Sequence, residues 1–117
     1  IKMNIRTEIK KIENMIIDWR RDFHQYPELS FKEHRTGDVI ANELRSMGLE
    51  PKINVGKTGV TADLEFGDGP TIGLRADMDA LPIQETSGLS SSSKNDGVMH
   101  ACGHDGHMAM LLVQQKF

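Results

Sequence analysis

The sequence predicts an α/β chain. Two stretches with apolar residues at helical spacing come first, two alternating runs flank a glycine-rich turn, and a continuous apolar run closes the chain.

Residues 4–25 carry Ile5, Ile9, Ile12, Ile16, Trp19 and Phe23 at intervals of three and four, with mostly charged and polar residues between them. That stripe predicts one surface helix laid on a core, ended by Pro27. It spans fewer than three heptads, thin support for a coiled-coil module. Residues 32–47 predict a second helix. Ser30 and Glu33 match a capping box, Val39, Ile40, Leu44 and Met47 form the apolar face, and Gly48 is the stop. Residues 51–55 suit a short strand.

Val60, Ala62, Leu64 and Phe66 then alternate with Thr61, Asp63 and Glu65, which predicts a strand with one buried face. Gly67, Asp68, Gly69 and Pro70 form a turn, and residues 71–76 return as a second strand. Strands joined this tightly pair antiparallel, so the expected sheet is mixed. Residues 85–97 hold almost no apolar side chain and four serines in succession, so they read as a loop. Residues 108–113 are continuously apolar and predict a buried helix, with Asp105 as its candidate N-cap.

Composition narrows the function. The 117 residues carry a net charge of −3, which removes phosphate neutralisation as a binding mode and gives no attraction to anionic membranes. No apolar run has the length of a membrane span. The single Cys102 excludes an internal disulfide framework. A soluble protein of a reducing compartment, the cytoplasm, is expected. Six aromatic residues against seven Met predict an aliphatic, methionine-rich core.

Three clusters could carry chemistry. The densest runs from His100 to His107, with three His, Cys102 and Asp105 in eight residues. Thiolate and imidazole are preferred ligands of Zn²⁺ and similar ions. Cys102 and His104 lie two apart, so in an extended loop both would face one ion. The spacing is neither a zinc finger nor a His-Glu-x-x-His helix. The second cluster holds Arg75, Asp77 and Asp79 where a strand exits. Its carboxylates could ligate an ion or orient a ligating His, or be solvated, one paired with Arg75. The third cluster, residues 20–30, reads as a helix end in which His24 complements the dipole.

Together these motifs, RRDFHQYPELSFKE, LRADMDALPIQE and MHACGHDGHMAMLL, carry a resemblance. The chain resembles the N-terminal part of the metal-dependent amidohydrolases of N-acyl amino acids, within the aminoacylase and carboxypeptidase family. The resemblance implies a partial three-layer α/β/α dinuclear-metal catalytic domain with a mixed sheet, here one truncated domain over residues 1–117. It implies Cys102 and His104 as metal ligands, Asp79 as the acidic residue of the catalytic site, and a supporting place for Asp77. It gives His100, Asp105 and His107 no ligand role. It further implies two divalent ions (Zn, Mn, Co or Ni), an N-acyl amino acid or peptide substrate, and a homodimer in the intact form. The family's Glu-Glu pair, which holds the general base, and two later His ligands have no matching position here. The chain alone is therefore expected to be inactive. The alternative is a non-enzymatic remnant that at most binds a divalent ion.

Overall fold

A computed structural model describes residues 3–116. Helix α1 (Ile5–Lys11) is followed by α2 (Glu13–Gln25) and α3 (His34–Ser46). A two-stranded antiparallel sheet, β1 (Lys52–Val55) and β2 (Gly59–Thr61), comes next, and α4 (His104–Gln114) closes the fold.

The single helix expected over residues 4–25 is two. The break falls at Ile12, whose N–H bonds back to the Ile9 carbonyl before the ladder resumes from Ile16 to Ile12. No glycine or proline marks the break, and nothing in the structure explains it. The stripe is buried only toward its end. Trp19 and Phe23 are buried, whereas α1 buries nothing.

Helix α3 forms as its periodicity requires, but its start differs from the capping box. Glu33 is the cap residue and makes no side-chain cap bond. Its carboxylate instead accepts the Thr58 hydroxyl. Glu28 takes over the helix start. Its carboxylate accepts the Arg35 N–H, the Thr36 N–H and the Thr36 hydroxyl at 2.6–3.1 Å. These first-turn donors have no partner inside the helix, so an acceptor from outside satisfies them and its negative charge suits the dipole. Gly37 then lets α3 approach β2, because a Cβ there would sit 3.2 Å from the Thr58 carbonyl.

The predicted hairpin between residues 60–66 and 71–76 does not form. β2 pairs with β1 instead, and among the described residues positions 63–79 make no backbone-to-backbone hydrogen bond. Phe66 and Ile72 are more than four-fifths exposed. A cleft of about 340 Å³ separates the two stretches, with Leu44, Met108 and Leu112 among the residues lining it. Two isolated bridges, Leu29 with Ala80 and Leu81 with Met99, anchor the chain beyond this region.

The core forms where α2 meets α4, with α3 alongside. Trp19, Phe23, Leu44, Met108, Ala109 and Leu112 are its buried members. It is less methionine-rich than composition suggests. Its largest side chains are the two aromatics, while Met3 and Met110 are exposed. Among the described residues no helix is long and apolar enough to cross a membrane.

Phe23 has no solvent exposure, so Phe23→Ala is expected to cost about 3–5 kcal/mol through lost contacts and a residual cavity. Ile5→Ala, on a side chain 60% exposed, is expected to stay within about 0.5 kcal/mol. Urea unfolding followed by the fluorescence of Trp19, the only tryptophan, measures both.

Candidate metal centre and its buried support

The start of α4 differs from expectation. The N-cap is Gly103, at φ 104°, a left-handed conformation open to glycine without a Cβ clash. Asp105 therefore sits in the first turn rather than at the cap. Cys102 precedes the turn and is exposed, while His104 is the first helical residue. The extended loop expected to aim both side chains one way is absent, since Gly103 turns the chain between them.

The His104 ring is held by the second cluster. Its Nδ1–H donates to the Asp79 backbone carbonyl at 2.8 Å, and an Asp79 carboxylate oxygen lies 3.2 Å from the same nitrogen. A carbonyl only accepts, so the proton belongs on Nδ1 and the neutral ring keeps its lone pair on Nε2. That nitrogen lies 3.9 Å from Asp77 Oδ2. Nδ1 anchored on a carbonyl with Nε2 free is the arrangement typical of metal-ligating His. Asp77 also pairs with Arg75 at 2.5 Å, an exposed contact worth little to stability. Asp77, Asp79 and His104 are thus brought together.

The donor chemistry suits a divalent transition ion: an accessible thiol, an oriented imidazole and nearby carboxylates. It is not a complete shell. Among the described residues no three His, Cys, Asp or Glu side chains are arranged to hold an ion.

Behind this surface lies a buried polar network that sequence reasoning missed. His24 lies in the last turn of α2, as the helix-end reading expects, but its ring is committed to distant partners. Its Nδ1 donates to Asp105 Oδ2 at 2.7 Å and its Nε2 donates to Glu85 Oε1 at 2.9 Å. His24 and both carboxylate side chains are almost fully buried. Arg20 Nε adds a 3.0 Å contact to the same Asp105 oxygen. Glu85 also accepts the Ser93 N–H at 2.8 Å and the Ser87 hydroxyl, which ties down the serine-rich loop. One local signal was available. On α4 the buried residues are Asp105, Met108, Ala109 and Leu112, so the acid occupies the apolar stripe and requires a buried partner.

His100 is 4% exposed, and neither ring nitrogen has a protein partner. Burial lowers its pKa and is only partly offset by the Asp105 charge. For Glu85, burial raises the pKa, but the bonds from Ser87 and Ser93 and the nearby His24 outweigh it and hold the carboxyl below 4.5.

The family model described as peptidase family M20/M25/M40 matches residues 73–116. The N-acyl-L-amino acid amidohydrolase of Geobacillus stearothermophilus is 47% identical over 117 residues, covering 98% of this chain and 31% of that protein. The hippurate hydrolase of Campylobacter jejuni is 45% identical, covering 98% of this chain and 30% of that protein. A Bacillus subtilis crystal structure, described as a dinuclear metal binding peptidase from the M20 family, matches with a TM-score of 0.83 and 43% identity. That match covers 92% of this chain and 32% of the other. The chain thus spans about 30% of the length of these relatives.

Because the folded Glu85 pKa is lowered, its ionised form stabilises the fold above the ordinary value of 4.5. That contribution is lost as pH falls through the depressed folded value. Glu85→Gln is expected to flatten the acid limb of stability below about pH 4.5, measured as Tm against pH beside the parent chain.

The three motifs, the matched fold and these relatives converge on one likeness: the chain is similar to members of the peptidase family M20/M25/M40.

Proposed function

We propose that this chain is part of a metal-dependent amidohydrolase acting on N-acyl amino acids or small peptides. In this reading residues 1–117 are a single partial catalytic domain that supplies two metal ligands, Cys102 and His104. Asp79 is the acidic residue of the catalytic site and Asp77 supports it. The relatives named for N-acyl amino acid and hippurate hydrolysis support the substrate class. The observation that carries the reading is the pose of His104, with Nδ1 anchored on the Asp79 carbonyl and Nε2 left as the free donor.

A divalent ion here (Zn, Mn, Co or Ni), one of two in the intact family, would acidify a bound water and polarise the scissile carbonyl. The chain's own residues prepare for that. The Asp79 carbonyl sets the tautomer of His104, and the Asp79 carboxylate beside Nδ1 makes the ring a stronger donor. Cys102, accessible at the surface, ligates as its thiolate. The general base and the remaining ligands belong to the longer family form, which we take to be a cytoplasmic homodimer.

A second reading, a chain that binds an ion without turnover, is favoured by the absence of a three-donor group among the described residues. Both readings predict metal binding, and they separate on activity.

Titrating Co²⁺ into the chain is expected to produce a thiolate-to-cobalt charge-transfer band. Cys102→Ser is expected to abolish it, and His104→Ala to weaken binding by about tenfold or more. An unchanged band in Cys102→Ser would overturn the ligand assignment. Hippurate hydrolysis is expected only from a full-length family form carrying these residues, not from the 117-residue chain by itself.

A further inference from the structure

A closed circuit of hydrogen bonds runs through the candidate centre. Just beyond the end of α2, the Glu28 carbonyl accepts the Ala80 N–H at 2.8 Å, which pins the chain beside Asp79. The Asp79 carbonyl accepts from His104. The next residue, Asp105, accepts from His24, back on α2. The links are hydrogen bonds and peptide neighbours, and the short run of chain from His24 to Glu28 closes the ring.

We propose that His24 is a positioning residue for the metal centre: through Asp105 it fixes the first turn of α4, and so the direction in which His104 presents Nε2. This rests on the reading of Cys102 and His104 as ligands. The motif around His24 is otherwise accounted for only as a helix end, a role for which burial between two carboxylates is unnecessary. A last-turn cation serves a dipole without needing any carboxylate partner. His24 is instead 4% exposed and joined to a residue 81 positions away. Its second carboxylate, Glu85, holds the ring from the far side, so the imidazole cannot swing away from Asp105. Arg20, one turn earlier on α2, contacts the same Asp105 oxygen. α2 therefore grips α4 through a planned polar contact rather than through apolar packing alone.

The test uses the same chain and Co²⁺ as the probe. His24→Gln, Asp105→Asn and the double variant are titrated beside the parent and Cys102→Ser, and each is checked for folding by Trp19 fluorescence and Tm. Asp105→Asn keeps the shape and one acceptor, so it remains informative if His24→Gln does not fold. The expected result is Co²⁺ affinity weakened about 10–100-fold in either single variant, with altered cobalt ligand-field bands. The double variant is expected to be no weaker than the worse single variant, because the two residues act along one line. A purely stabilising role for His24 would lower Tm and leave the cobalt spectrum and affinity of the folded protein unchanged, and that result overturns the proposal. If the parent itself shows no band sensitive to Cys102→Ser, the ligand reading fails first and takes this role with it. A parent band with His24→Gln and Asp105→Asn both at parent affinity sinks the positioning role alone.

Discussion

The bond from His24 to Asp105 is the contact on which the arrangement of this molecule turns. It joins the end of α2 to the start of α4 across most of the chain. Apolar packing of Trp19 and Phe23 against Met108 and Leu112 brings the same two helices together. Dispersion and burial are non-directional, so they would tolerate a small rotation or slide of α4. The polar contact would not. Buried groups of this kind are costly unless paired, and pairing them in one geometry selects one register for the helix. The candidate ligands at the helix start inherit that precision.

A second constraint operates over positions 63–79. Positions 63–79 make no backbone-to-backbone hydrogen bonds among the described residues, although their alternation is that of a strand. Backbone donors and acceptors must be satisfied by other strands or by water. In the chain as described only the short β1–β2 pair forms, over β1 residues that are all exposed. Several apolar residues of this stretch, Phe66 and Ile72 above all, consequently stand in solvent, while Ala76 and Met78 pack against the core. The stretch nevertheless ends in order. Ala80 and Leu81 are both bridged, which delivers Asp79 to His104 however the chain upstream is accommodated.

Local features were legible in the sequence. Helix α3, the buried half of α2 and the apolar run of α4 follow from residue spacing, because a helix closes its own hydrogen bonds. The three motifs were legible as chemistry. What could not be read is what depends on distant partners. The hairpin was inferred from a turn and two alternating runs, yet strand pairing is a tertiary decision, and β2 took β1 instead. The capping box at Ser30 and Glu33 was locally sound but lost to Glu28, which reaches the same helix start from outside. His24 read as a dipole partner, since Glu85 and Asp105 are 61 and 81 positions away. Asp105 read as a cap because it sits just ahead of the apolar run, whereas the helix starts earlier, from Gly103 with its left-handed backbone.

Asp79 shows how backbone and side chain divide the work at the candidate centre. Its carbonyl, not its carboxylate, makes the short bond that sets the His104 tautomer. The backbone at that point is held independently, by the bond from the neighbouring Ala80 N–H to Glu28. Orientation of the ring therefore does not require an acidic side chain at position 79. The carboxylate, 3.2 Å from the same nitrogen and one-third exposed, is left to act electrostatically. It raises the donor strength of the ring and adds negative charge at a site suited to a cation. An Asp here is accordingly a choice about charge, while the geometry is set by the chain itself.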